Sequence, residues 1–359
     1  MIDKLRDLMK KENIEAYFLS GIENPMSTKN LLYMTHYTGS YGVAIVTKDD
    51  AYFVSDFRYR EQVAKEVKDF TFVEIEKTLL DTLKKLIAMM GIKTLDFDPK
   101  ITYQEYQTLE EIDVVLNPKS GLIEQLREQK STEEIEKIRI ACDITDEALK
   151  YTLDKIKVGM REKEVEVILK NKMIELGADK TWDRFIVASG VRGSMPHGMA
   201  SDKELSEGEL ITFDIGCFYQ GYSSDLTRTV ALGSVSHKLK EIYDVVYEAQ
   251  TRAVKQAKAG MSGKEIDAIC RDYITSSGYG EYFKHGTGHG LGLDVHESPS
   301  VSSRNNEPLK SSSCITIEPG IYIAGLGGVR IEDDVILHHD GCKVLNQFPK
   351  ELIIIPIRK

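Results

Sequence analysis

Asp214, Asp225, His289, Glu318 and Glu332 are the residues whose types and local frames suit one chemistry, the binding of two divalent cations. Two such cations bring four positive charges. Four ionised carboxylates and a neutral imidazole balance them, so a low-dielectric cleft need not hold a large net charge. The first two acids lie in Ile211-Thr-Phe-Asp-Ile-Gly216 and Ser224-Asp-Leu-Thr-Arg-Thr229, runs that alternate apolar and polar residues around the turn signal Tyr219-Gln220-Gly221. A turn centred between Tyr219 and Gln220 sets Asp214 directly opposite Asp225, with Cβ atoms about 4.5–5.5 Å apart. That spacing suits carboxylates sharing cations roughly 3.5–4 Å apart. Phe213, Ile215, Leu226 and Val230 then face the core.

The arrangement recurs in Ile315-Thr-Ile-Glu-Pro-Gly320 and Gly328-Val-Arg-Ile-Glu332, where a loop centred on Gly325 puts Glu318 opposite Glu332. Period two places Arg330 on the face of Glu332, where its permanent charge suits a substrate carboxylate or carbonyl. The segment His285-Gly-Thr-Gly-His-Gly-Leu-Gly-Leu-Asp-Val-His296 brings three imidazoles to a glycine-rich backbone able to pass close to a ligand. His197, in Ser194-Met-Pro-His-Gly198, is a further candidate for moving protons or polarising a carbonyl. His237, His338 and His339 read as ordinary helix-start and turn residues.

Positioning these groups falls to a repeated unit. Lys157-Val-Gly-Met-Arg-Glu-Lys-Glu-Val165 reappears as Lys258-Ala-Gly-Met-Ser-Gly-Lys-Glu-Ile266, and each copy is followed by an apolar helical pattern ending near Gly177 or Gly278. Each half thus reads as helix, Gly-Met turn, helix and acidic hairpin, and two halves can close a pseudo-twofold sheet around one site. Residues 1–120 alternate short strands, such as Gly42–Val46 and Ala51–Val54, with helices such as Leu79–Met90, the pattern of a small α/β unit. Asn117-Pro-Lys-Ser-Gly121 breaks the chain before a charged helix expected over Leu126–Ile135. The domains expected are therefore 1–120, a linker at 121–130, and 131–359.

The frames Phe213-Asp-Ile-Gly216, Ser224–Thr229, His285–Gly290, Ile317-Glu-Pro-Gly320 and Val329-Arg-Ile-Glu-Asp333 resemble those of the pita-bread metallopeptidases, in the branch of Xaa-Pro aminopeptidases and prolidases. The resemblance runs from about Leu126 onward, with a softer match through Tyr33–Gly39 and Val54–Tyr59. It implies an α+β chain, with a pita-bread catalytic domain built on the pseudo-twofold repeat and a smaller creatinase-like α/β domain before it. It implies that Asp214 chelates one metal, that Asp225 and Glu332 bridge both, and that His289 and Glu318 complete the second. His296 is implied at the scissile carbonyl, with His285 and Arg330 on the proline side and His197 near the substrate. Gly190–Met195 departs from the family where a small polar residue is expected before the Pro-His turn.

The activity implied is hydrolysis of the N-terminal Xaa-Pro bond of peptides by a hydroxide bridging two divalent metals, with Glu318 accepting its proton. Manganese is expected, with cobalt or zinc chemically acceptable. A strict Xaa-Pro dipeptidase is the alternative. A creatinase-like hydrolase, or a non-catalytic binding module of the same fold, is more remote because all five ligand positions are filled. The resemblance also implies a homodimer, in which His36 or Asp56 approaches the neighbouring site.

Composition agrees. A chain of 359 residues with 42% hydrophobic and 29% charged side chains is ordinary for a globular protein, and a net charge of -10 argues against nucleic acid as a partner. Met1–Lys10 reads as a charged amphipathic helix rather than a signal peptide, and no apolar run approaches membrane length. Five widely spaced cysteines do not suggest a disulfide framework. A cytoplasmic location is expected.

Overall fold

The computed structural model describes residues 1–22 and 25–357. Met1–Arg127 and Glu128–Lys359 form two compact units. The first unit runs to Arg127, inside the segment 121–130 read as a linker. Its last helix is tied back by Asn30, which donates to Glu124 at 3.0 Å and accepts from Arg127 at 2.8 Å.

In the first unit the helices are α1 Ile2–Glu12, α2 Pro25–Thr35, α3 Arg60–Glu66, α4 Leu79–Met90, α5 Tyr103–Glu110 and α6 Glu124–Arg127. The strands are β1 Ala16–Ser20, β2 Val43–Thr47, β3 Ala51–Ser55, β4 Thr71–Glu74, β5 Thr94–Phe97 and β6 Val115–Pro118. They make one mixed sheet in the order β4-β3-β2-β1-β5-β6. Central strands β1 and β2 are buried almost throughout, as their Val, Ile, Phe and Leu content requires.

The second unit opens with α7 Thr132–Leu153 and α8 Glu162–Glu175. The charged stretch expected as one helix over Leu126–Ile135 is broken in two. Ser131 caps α7, accepting from the Glu134 N–H while Glu134 accepts from the Ser131 N–H, and that reciprocal cap fixes the helix start. Strands β7 Lys180–Thr181, β8 Ile186–Ser189, β9 Glu209–Ile215, β10 Cys217–Tyr219, β11 Tyr222–Ser223 and β12 Leu226–Leu232 complete the first half. The second half repeats the plan with α9 His237–Gln256 and α10 Gly263–Ser276. Its strands are β13 Gly288–Gly290, β14 Glu297–Val301, β15 Cys314–Ile317, β16 Gly320–Ile323, β17 Gly327–Arg330, β18 Asp333–His338 and β19 Gly341–Val344.

The sequence repeat has a structural counterpart. Gly159 and Gly260 both adopt positive φ, 85° and 91°, and donate to the carbonyls of Leu205 and Leu309. Glu164 and Glu265 then accept from the backbone N–H groups of Arg161 and Ser262 at the starts of α8 and α10. Each half has its own core: α7, α8 and β9 around Leu169 and Phe213, and α9, α10 and β18 around Val246 and Val335. The halves meet along β12 and the β17–β18 segment, where Glu332 donates its N–H to Thr227 O at 3.1 Å.

Candidate metal centre

The first acidic hairpin turns later than its sequence suggests. Tyr219 pairs with Tyr222, leaving Gln220 and Gly221 as a two-residue turn with φ of 46° and 82°. Two successive positive φ values match the twist of the flanking strands. The register shifts in consequence: Asp214 faces Thr227, not Asp225. Asp225 remains on the same face, two residues from Thr227, as the diagonal neighbour of Asp214. In the second hairpin Gly320 pairs with Arg330 around Gly325, and Ile317 pairs with Asp333 on the other side. Glu318 and Glu332 lie opposite each other between these pairs.

All nine candidate residues line one cleft of about 940 Å³. Ligand-capable atoms of Asp225, His289 and Glu332 lie within 4.8 Å of one another. His289 Nε2 lies 3.3 Å from Glu318 Oε1 and 3.7 Å from Asp225 Oδ2. Asp214 is drawn instead to Arg330, whose Nη2 is 2.5 Å from its Oδ2. The ring centroids of His289 and His296 are 4.2 Å apart. His197 and His296 are exposed at the cleft, and His285 is half-buried.

Several of these groups are held from behind. Thr227 Oγ1 donates to Glu332 Oε2 at 2.5 Å and accepts from Arg330 Nε at 3.1 Å. Asp334 Oδ2 accepts the Asp225 N–H at 2.8 Å. The histidine loop is fastened to α10. Asp267 accepts from the N–H and hydroxyl of Thr287, and Arg271 donates to the carbonyls of Phe283 and His285. Gly288 permits the approach that seats His289, since a Cβ there would collide with the Thr316 carbonyl.

Electrostatics favour occupation by cations. Burial, and after it the nearby carboxylates, raise Asp225 and Glu332 well above the ordinary carboxylate range, and burial raises Glu318 to about 8. Burial also lowers His289 to about 4, leaving its imidazole neutral and able to ligate near neutral pH. Among the described residues, Asp225 Oδ1 and Glu332 Oε1 are buried without a hydrogen-bond partner. Buried carboxylate oxygens are costly to leave unmatched. A hard dication would satisfy both oxygens and reverse the upward shifts. The residues present therefore fit divalent metal.

Sequence reasoning missed three contributors. Tyr322 joins His285 to Arg330, its hydroxyl 3.0 Å from His285 Nε2 and 2.8 Å from Arg330 Nη1. Thr227 links Glu332 with Arg330, and Asp334 holds the Asp225 backbone. Period two from Glu318 reaches Tyr322, and from Asp225 reaches Thr227, so both were within reach of the pattern. Asp333 and Asp334, the acids nearest Glu332 in sequence, are not among the residues lining the cleft. Asp333 instead forms ion pairs with Arg228 and Lys350 at 2.7 Å.

Comparison with known proteins gives this constellation its family. Residues 136–339 match the model of metallopeptidase family M24, and residues 1–129 match the creatinase/prolidase N-terminal domain. The chain belongs to metallopeptidase family M24. An Xaa-Pro dipeptidase from Bacillus anthracis superposes with a TM-score of 0.95 at 43% identity, covering 98% of both chains. An X-Pro aminopeptidase from Thermotoga maritima superposes at 0.88 with 36% identity, covering 99% of both. An Xaa-Pro dipeptidase of Pyrococcus horikoshii is 38% identical in sequence over 98% of each chain. The M24 unit carries the cleft, and the N-terminal unit is the one matched by the creatinase/prolidase domain.

Proposed function

We propose that this M24 metallopeptidase removes the residue preceding proline at the amino end of short peptides, using the five ligands Asp214, Asp225, His289, Glu318 and Glu332. The observation that carries the reading is the pair of orphaned buried oxygens on Asp225 and Glu332 beside a neutral His289. When bound, two divalent cations supply Lewis-acid activation of water and of the scissile carbonyl. Glu318 receives the proton lost by the attacking water. His296 and His197, at the open side of the cleft, hydrogen-bond the carbonyl oxygen and the departing proline nitrogen.

A strict dipeptidase reading is supported by the names borne by the Bacillus anthracis and Pyrococcus horikoshii proteins, an aminopeptidase reading by that of the Thermotoga maritima protein. Turnover of Gly-Pro alongside Gly-Pro-Ala and longer Xaa-Pro peptides, with metal content measured on the same sample, separates them. Cleavage of dipeptides alone selects the dipeptidase. Cleavage of neither, in protein carrying two equivalents of metal, overturns the Xaa-Pro reading.

We further infer manganese as the native metal, with cobalt or zinc acceptable to an oxygen-rich set with one imidazole. Elemental analysis of protein purified without added metal tests it. A homodimer, with the N-terminal unit in its interface, and a cytoplasmic location belong to the same reading. No helix among the described residues is long and apolar enough to cross a membrane.

A further inference from the structure

Arg330, the cation expected at the substrate carboxylate, is already engaged. Its side chain is buried, and it donates to Asp214, Thr227, Tyr322 and the Pro196 carbonyl. The other Lys and Arg side chains lining the cleft are Arg184 and Lys284. Both are exposed, and among the described residues neither side chain makes a hydrogen bond or ion pair.

Their backbones, by contrast, are fixed. Thr181 pairs with Cys217 and Ile186 with Asp214, so the four residues 182–185 oppose only the two residues 215–216. The connection between these two pairings, which belong to different sheets, carries Arg184. It is pinned on both flanks of Arg184: Trp182 Nε1 donates to Ser223 Oγ at 3.1 Å, and Glu166 accepts the Phe185 N–H at 3.0 Å. Lys284 is pinned in the same manner, because Arg271 holds the carbonyls of both its neighbours, Phe283 and His285. Two cationic side chains with fixed roots and unpaired heads thus reach a cleft whose floor is carboxylate. One exposed acid, Glu281, shares the mouth with them, leaving the cations in excess there.

We propose that Arg184 and Lys284 together receive the C-terminal carboxylate of a short peptide substrate, and that they confer a preference for a free carboxylate over a blocked one. The inference rests on the exopeptidase reading above. The bond to proline has no N–H, so recognition on that side depends on ring shape and on the carboxyl group. A guanidinium fork and an ammonium lining one cleft suit that group.

The test compares Gly-Pro as the free acid with its C-terminal amide, in wild type and in the double variant Arg184→Gln/Lys284→Gln. For the acid, KM should rise about tenfold in the variant with kcat retained, whereas the amide should change by no more than about twofold. The wild-type KM for the acid should also rise with ionic strength, and that dependence should flatten in the variant. Equal shifts on acid and amide, or no shift on either, would overturn the proposal. Should wild type cleave neither, the Xaa-Pro reading falls, and the same acid and amide pair made from an Xaa-Ala dipeptide the enzyme does cleave decides the role of Arg184 and Lys284.

Discussion

Arg330 shows how one side chain can serve a centre without being a ligand. Its buried guanidinium holds Asp214 and also Thr227, which in turn holds Glu332, so two acids from different hairpins depend on one planar fork. Arg330→Lys keeps the charge and loses the fork. It should weaken metal binding or activity roughly 10–100-fold, the usual cost of disturbing a ligand's support. Because the effect passes through Asp214, kcat/KM should fall alike for Xaa-Pro and Xaa-Ala peptides, and a loss confined to Xaa-Pro would restore Arg330 as a proline-side contact. Asp225→Ala or Glu332→Ala should instead remove at least one equivalent of metal, since Asp334 is occupied with the Asp225 backbone and Asp333 with two cations. Two equivalents retained by elemental analysis, with activity intact, would refute the ligand assignment.

At the level of elements, the turn at Gln220-Gly221 sets which groups face each other across the first hairpin. Gly221→Val should cost about 1–2 kcal/mol, read as a lowered Tm, because a branched side chain is forced to positive φ. No loss of stability would mean the turn tolerates another shape. The same turn marks where the sequence was ambiguous. Tyr219-Gln-Gly221 admits two turn centres, and Gln220 takes a conformation more often left to Asn, Asp or Gly, so the pattern alone misplaced the pairing of Asp214. Gly325 sits alone between symmetric arms, and there the register was readable. Ser131-Thr-Glu-Glu134 carried a readable capping signal that the run of charges from Leu126 obscured. Arg228, which donates to carbonyls of Glu332, Phe348 and Pro349, could not be foreseen. Its partners lie more than a hundred residues away in sequence, and no local period reports such contacts.

For the molecule as a whole, the centre is a source of instability until cations fill it. Folding raises the pKa of Glu318 from 4.5 to about 8, and raises Asp225 and Glu332 as well. The folded apoprotein therefore binds more protons than the unfolded chain across that interval, and its stability falls as pH rises through it. Thermal melts of chelator-treated protein should show Tm declining from about pH 6.5 to pH 8, above the range in which buried His285 and His289, lowered to about 4, act in the opposite sense, and saturating metal should remove most of that decline. A Tm independent of pH in the metal-free protein would contradict the assignment. The duplicated plan has a further consequence. Of the proposed ligands, Asp214 and Asp225 come from the first half and His289, Glu318 and Glu332 from the second, so neither half owns the complete set. Severed at exposed Ser234, between β12 and α9, the chain becomes two fragments whose reassociation is linked to the ions they share. Metal would then act as the cross-link between complementing polypeptides, and the concentration of ion needed to rejoin them would measure how much of the cohesion between the two halves is ionic rather than apolar.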